Sequence, residues 1–367
     1  MKITIKRADL LTPLQAINNV VERRQTLPIL GNVFVNAEVG SGITLTATDM
    51  EVEIMVNVEA TTEQPGAITV PARKFFDICR ALPNDAVIKL NLDEEKVRIQ
   101  SGRSRFLLTT QPAAEFPSIG TFDPIVEFDL SVTTLKALIE GTQFAMAHQD
   151  VRYYLNGLLF ELESGRIRTV ATDGHRLALC DRSVELGETE PRQIIIPRKG
   201  VTEIVRLLSG ADESVGLAIG SNHLKVTTSR QVLTTKLVDG RFPDYERVIP
   251  RAGEKHVYAD REVLKAGLAR ASILSNEKFR GVRIVLSENK LMAIAHNPEQ
   301  EEAEEEIDVE YSGEALEIGF NVSYLLDVLS VLKSEKVRVD FIDSNSSCML
   351  QDPDDEAARY VIMPMRL

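Results

Sequence analysis

Apolar and polar residues alternate through "MKITIKR" at the start of the chain, which predicts a strand. The period then changes. In "ADLLTPLQAINNVVE", Leu10, Leu14, Ile17 and Val21 recur at helical spacing. Strand-like runs follow, among them "ITLTATDMEVEIMVNV" at 43–58. A second helix is predicted after Pro71, because a proline is tolerated where the first helical N–H has no partner anyway. Phe75, Ile78, Cys79 and Leu82 fall on one face of it.

This order is written three times. "ITVPARKFFDIC" (68–79), "IIIPRKGVTEIV" (194–205) and "LEIGFNVSYLLDVL" (316–329) share one mould, with Pro71, Pro197 and Asn321 spaced by 126 and then 124 residues. Gly31, Gly157 and Gly281 keep the same step, as do Thr48, Thr172 and His296 at 124 and 124. Phe116 and Phe242 lie 126 apart. The second-helix faces recur as Val201, Ile204, Val205 and Leu208, and as Leu325, Val328, Leu329 and Leu332. A period of this length is that of a domain, not of a solenoid repeat. The expected architecture is α+β: three repeated domains, 1–122, 127–248 and 254–367, each with two helices on antiparallel sheets. "IGTFDPIV" and "VIPRAGEKH" read as linkers from their Pro, Gly and polar content.

Composition narrows the function classes. The chain has 367 residues, 44% of them hydrophobic and 26% charged. No apolar run approaches the roughly 20 residues of a membrane helix, and the first residues do not resemble a signal peptide. Three scattered cysteines, Cys79, Cys180 and Cys348, make neither a disulfide framework nor a metal motif, which favours the cytoplasm.

"TVATDGHRLALC" (169–180) brings Asp173, His175, Arg176 and Cys180 close in sequence and invites a catalytic reading. The repeat argues against it. Asp173 matches Asp49 of "ATDMEVEI", and a Thr-Asp shared by two domains is a turn device, because Asp side chains bond nearby backbone in turns. GxSxG, HExxH and Walker patterns are absent from the sequence. A hydrolase using His175 with Asp173 or Cys180 is therefore the weaker reading, and no metal or cofactor is implied. The C-terminal "YVIMPMRL", with Met363 and Met365 around Pro364, suits an adaptable binding surface.

Net charge is −13, which argues against a broad nucleic-acid face. The distribution changes that conclusion. The second helix carries basic residues in two repeats, Arg73 and Lys74 in the first and Arg198 and Lys199 in the second, and the acids crowd elsewhere. Helices that all face one way would make a basic side within an acidic protein and hold phosphates without reading sequence. "HQDVRYY" (148–154) adds residues able to bond phosphate or stack on bases. "PEQEEAEEE" (298–306) carries six glutamates and no base, whereas "KVRIQSGRSRF" (96–106) carries four bases and no acid. A like-charge strand asks for a partner, and head-to-tail pairing of two chains would supply one.

The blocks "TLPILGN", "VPARKFFDICR", "SGRSRF", "MAHQDVRYYLNG", "ATDGHRLA", "KLVDGRFPDY", "NPEQEEAEE" and the terminal "MPMRL" resemble, in order and over the whole length, the bacterial DNA polymerase III beta subunit family of processivity clamps. The resemblance implies a six-domain ring made by a head-to-tail homodimer. It implies duplex DNA encircled without sequence preference, loading by a clamp loader, tethering of DNA polymerases, and no catalysis. Carried onto this chain, the DNA contacts are Arg24, Gln149, Tyr153 and Tyr154, to which the basic helix positions and the loop add Arg73, His148, Arg198 and Lys199. The partner-peptide pocket between the second and third domains uses Leu155, Thr172, Gly174, His175, Arg176 and Leu177 from one stretch. It uses Pro243, Arg247, Val248, Tyr324 and Ser347 from others, and Val361, Met363, Pro364, Met365 and Arg366 from the tail. Asn345 stands where an apolar pocket residue is expected. The joint between chains sets Lys74, Ile78, Arg103, Arg105, Phe106 and Leu108 against Ile273, Leu274, Glu299, Glu301, Glu302, Glu304 and Glu305. The competing expectation is a peptide-binding scaffold that never encircles DNA.

Overall fold

The computed structural model describes residues 1–21, 27–120, 122–187, 190–211, 213–250 and 255–366. The chain divides into two compact units, Met1–Lys136 with Lys199–Leu237, and Ala137–Arg198 with Val238–Leu367. Among the described residues, six α-helices punctuate antiparallel sheets: α1 (Arg7–Val20), α2 (Ala72–Ala81), α3 (Val132–Glu140), α4 (Arg198–Leu208), α5 (Arg261–Ala271) and α6 (Val322–Val331).

The first unit holds a five-stranded and an eight-stranded sheet. The larger one runs, in spatial order, Val126–Ser131, Ser214–Ile219, His223–Thr227, Gln231–Lys236, Val52–Val58, Gly42–Thr48, Asn32–Glu38 and Gly66–Pro71. The second unit holds an eight-stranded and a four-stranded sheet. Its larger sheet runs Arg192–Pro197, Gly157–Glu163, Arg166–Thr172, Arg176–Ser183, Ala358–Ile362, Cys348–Gln351, Lys336–Phe341 and Lys255–Asp260.

The sequence repeat explains this layout. Every repeat contributes two halves of four strands, except that one half of the first repeat gains a fifth strand, Thr61–Gln64. The 52–58 half of the first repeat joins the 231–236 half of the second, with Val52 opposite Thr235 and Val56 opposite Gln231. The 176–183 half of the second joins the 358–362 half of the third, with Arg176 opposite Ile362 and Cys180 opposite Ala358. Two halves remain unjoined. One is in the first unit and ends in the edge strand Ser104–Thr109. The other, in the second unit, ends in the edge strand Glu302–Asp308.

Helices cover one face of these sheets for the reason their spacing implies. Leu10, Leu14, Ile17 and Val20 of α1 are buried, and Leu264, Leu268 and Ala271 do the same for α5. Val21 lies one step past the end of α1, half-buried, so Val20 takes the place expected for it. On α2, Phe75 and Cys79 are buried while Ile78 stays half-exposed. Burial pushes the Cys79 thiol up to about 12 and the Cys180 thiol to about 11, leaving both inert at neutral pH.

Close approach is visible where the first joint forms. A Cβ on Gly200 of α4 would stand 2.6 Å from Thr235 Oγ1. Gly200→Val overpacks that contact, which costs about 1–3 kcal/mol. The expected result is a melting temperature lowered by several degrees in calorimetry; an unchanged one would mean that the helix is not pressed on the strand.

Candidate functional site

The Thr-Asp turns are built alike in two repeats. Asp49 Oδ1 accepts the N–H groups of Glu51 (2.9 Å) and Val52 (2.7 Å), and Asp173 Oδ1 accepts those of His175 (2.9 Å) and Arg176 (3.1 Å). Thr48 and Thr172 each bond the residue four further on, through Oγ1, and each receives an N–H from the residue two further on. That last residue has positive φ in both turns, Met50 at 76° and Gly174 at 89°. The aspartates are therefore turn supports. Cys180 is buried with its sulfur 4.0 Å from the Ala137 carbonyl, while His175 is exposed. No nucleophile–base pair exists among Asp173, His175 and Cys180.

The 169–180 stretch packs on a buried apolar cluster of the second unit. Leu155, Leu177 and Val361 share a buried apolar cluster with Phe242 and Tyr245. Over it lie exposed His175, Pro243, Arg247 and Val248, with Val248 38% accessible. Arg247 pairs with Asp244 at 2.6 Å. The segment 242–248 is anchored from beneath: Arg168, nearly buried, forks onto Asp181 at 2.6 and 3.2 Å and bonds the Tyr245 hydroxyl at 2.9 Å. Tyr245 itself donates to Glu161. Burial and that carboxylate push the phenol well above its ordinary range, so it stays protonated and keeps donating.

The tail is docked rather than frayed. Met363 N–H bonds the His175 carbonyl at 2.9 Å, and Met365 N–H bonds the Gly319 carbonyl at 2.8 Å. Pro364 and Met365 are half-buried, and Met363 and Arg366 exposed. Met365 and Arg366 also border a cavity of about 700 Å³ with Phe279, Ile318 and Asn345. Asn345 is exposed at a turn tip, its N–H held by Asp343 Oδ1 at 2.8 Å. Ser347, immediately before the strand Cys348–Gln351, is half-buried.

Arg176 ties the turn at 173–176 to α6 and to Phe144. Its guanidinium bonds Asp173 (3.1 Å), Asp327 (2.5 Å) and the Phe144 carbonyl (2.8 Å), and it lies 4.4 Å from the centre of the Tyr324 ring. Neither Asp327 nor Phe144 stands out in the sequence.

The positions expected to meet DNA have varied surroundings. Arg24 lies outside the described residues. Arg73 is exposed on α2. His148 and Gln149 are exposed, Gln149 with φ 56°, and Tyr153 meets Tyr154 edge-to-face at 5.8 Å. Arg198 reaches the carbonyls of Met146 (2.6 Å) and Ala147 (3.2 Å) behind that loop. Lys199 is paired with Asp49 and bonds the Val20 carbonyl at 3.3 Å.

The two charge runs lie on the two open strand edges. Arg103 and Arg105 are exposed on and beside Ser104–Thr109, with Phe106 and Leu108 half-buried; Lys74 on α2 is exposed. On Glu302–Asp308, Glu302 and Glu304 are exposed, as are Glu299 and Glu301 before it. Arg270 forks onto Glu305 at 2.8 and 2.7 Å and holds its carboxyl below the ordinary range. Beside this edge, Ile273 is 75% exposed and Leu274 half-exposed.

Three family models match in succession: the N-terminal domain of the DNA polymerase III beta subunit at 1–120, the central domain at 129–244 and the C-terminal domain at 246–366. The chain belongs to the DNA polymerase III beta subunit family. The clamp is 54% identical to the beta sliding clamp of Escherichia coli (strain K12) and 52% identical to that of Pseudomonas aeruginosa, with both chains covered in full in each case. Its fold matches a crystal structure of the P. aeruginosa DNA polymerase III subunit beta, with TM-score 0.96, 51% identity and full coverage of both chains. It matches the P. aeruginosa clamp bound to griselimycin equally well, at TM-score 0.96 and 51% identity. Caulobacter crescentus pol III beta matches at TM-score 0.95 and 38% identity, again over both whole chains. The clamp is accordingly a DNA-replication processivity factor and not an enzyme.

Proposed function

We propose that two copies of the clamp close head-to-tail into a ring around duplex DNA and tether DNA polymerases to it, with domains at 1–122, 127–248 and 254–367. One observation carries the ring. Two of the three half-sheet joints that the repeat demands are made within the chain. The third would pair the 302–308 edge with the 104–109 edge, which lie at the repeat-equivalent positions and are left open. A second copy supplies what each edge lacks, so the contact is heterologous and closes when both ends are used. Phe106, Leu108, Ile78, Ile273 and Leu274 give the joint its apolar area. Lys74, Arg103 and Arg105 facing Glu299, Glu301, Glu302, Glu304 and Glu305 set its register.

Topological binding needs only weak phosphate contacts. Arg24, Arg73, His148, Gln149, Tyr153, Tyr154, Arg198 and Lys199 are the assigned set, and such contacts permit sliding because they are equal along the duplex. The groove at Leu155, Thr172, Gly174, Leu177 and Val361, with the Met363–Arg366 tail, receives peptides of polymerases and of the clamp loader. Tethering then raises the local concentration of a bound polymerase at its template. The cytoplasm is the compartment for this work.

Retention after loading tests the ring. On closed circular DNA in moderate salt, the clamp is expected to stay through gel filtration; on linear DNA it runs off the ends. Equal loss from both would favour a peptide-binding scaffold that does not encircle DNA.

A further inference from the structure

We propose that Asp327, outside the groove, is a positioning residue that keeps the groove open by holding Arg176 against Tyr324. The inference rests on the assignment of that groove to partner peptides.

The two joints within the chain make the comparison. At the first, the turn residue Asp49 takes a cation from the helix, Lys199 of α4. The next residue is Gly200, which lets α4 press onto Thr235. At the second, the helix positions in the same register are Ser323 and Tyr324 of α6. The cation has moved to the turn, where Arg176 stands in the place of Val52. The acid that answers it is Asp327, in the register of Glu203, whose partner is Arg206 on its own helix. The exchange replaces a glycine contact by a tyrosine ring and a guanidinium.

Arg176 has its three hydrogen-bonding nitrogens committed to Asp173, Asp327 and the Phe144 carbonyl. Phe144 flanks it on a second side, its ring centre 5.3 Å from the guanidinium carbon, with Tyr324 at 4.4 Å. Asp173 and Phe144 come from the same domain as Arg176, so they hold the guanidinium to its own turn. Asp327 alone among its ionic partners comes from α6, the helix that carries Tyr324. The pair therefore fixes the distance between the two walls. Asp327 is 46% exposed and Arg176 11%, so the carboxylate can be neutralised without opening the core.

The experiment uses the full-length clamp and griselimycin as probe, by calorimetry. Asp327→Asn is expected to weaken binding about three- to tenfold, with dimer and melting temperature unchanged. Asp327→Glu restores most of the loss. Raising the salt toward 1 M, where the Debye length is about 3 Å, narrows the gap between wild type and Asp327→Asn. Unchanged affinity in Asp327→Asn, or an equal loss in both variants, overturns the proposal. If wild type fails to bind, or if Gly174→Val leaves its affinity unaltered, it is the groove assignment that has failed.

Discussion

A clamp carrying Ile273→Asp is expected to sediment as a monomer at concentrations where the unaltered chain is a dimer. Ile273 is three-quarters exposed on a short turn after α5, beside the acidic edge strand. Covering an isoleucine contributes about 1.5–3 kcal/mol. An aspartate there loses that term and adds the cost of desolvating a charge, several kcal/mol more. A two-chain ring has two equal joints, so the penalty is incurred twice. The combined shift weakens the dimer by about a thousandfold or more. Because the side chain is exposed within one chain, the monomer keeps its fold. Reversal of one rim charge, Glu304→Lys, should do far less, since an exposed pair contributes about 0–1 kcal/mol. Sedimentation equilibrium separates the two. A dimer as tight as wild type with Ile273→Asp would mean that the joint does not cover this turn.

Much of the fold is legible because it is local. Helix faces such as Leu10, Leu14 and Ile17, and strand alternation in 1–7, follow from periods of a few residues. The Thr-Asp turns at 48–49 and 172–173 are legible twice over, since each copy acts as a control for the other. Pairings across long separations are not. Lys199 answers Asp49 from 150 residues away and Arg176 answers Asp327 from 151. Nothing in the spacing of either run announces this, and a basic pair at 198–199 looks solvent-facing until its partners are seen. The exchange of half-sheets between neighbouring repeats is likewise invisible to periodicity. It nonetheless follows once the repeats are aligned on the strands, because a half joined in two copies leaves one unjoined at each end. Asp327 is one acid on a largely apolar helix and carries no signal by itself; aligned against Glu203, it marks the place where the joint changes character.

Gly174→Val should abolish most partner binding while leaving the ring closed. The residue sits at φ 89°, where a β-branched side chain is strained by about 1–3 kcal/mol. Its Cβ would also stand 3.0 Å from Arg152 Nη2 and 3.2 Å from Nη1. Arg152 is 48% exposed and can swing aside, but only by giving up its two bonds of 3.0 and 2.9 Å to Asp150, whose carboxyl pKa it draws down to about 2, an exposed pair that contributes little. The backbone strain and the crowded guanidinium together press on the turn, which carries Thr172, Asp173, His175 and Arg176. Met50 shows that the conformation alone is survivable: at φ 76° the first repeat tolerates a side chain there. The difference is the neighbouring guanidinium and the groove. Affinity for griselimycin is expected to fall about tenfold or more, whereas the dimer and retention on circular DNA persist, since no residue assigned to the joint lies in the turn. Met50→Val, with the same strain but no groove to distort, should lower the melting temperature and spare binding. If the two variants weaken binding alike, the loss is one of general stability, and the turn at 172–176 is not a wall of the partner site.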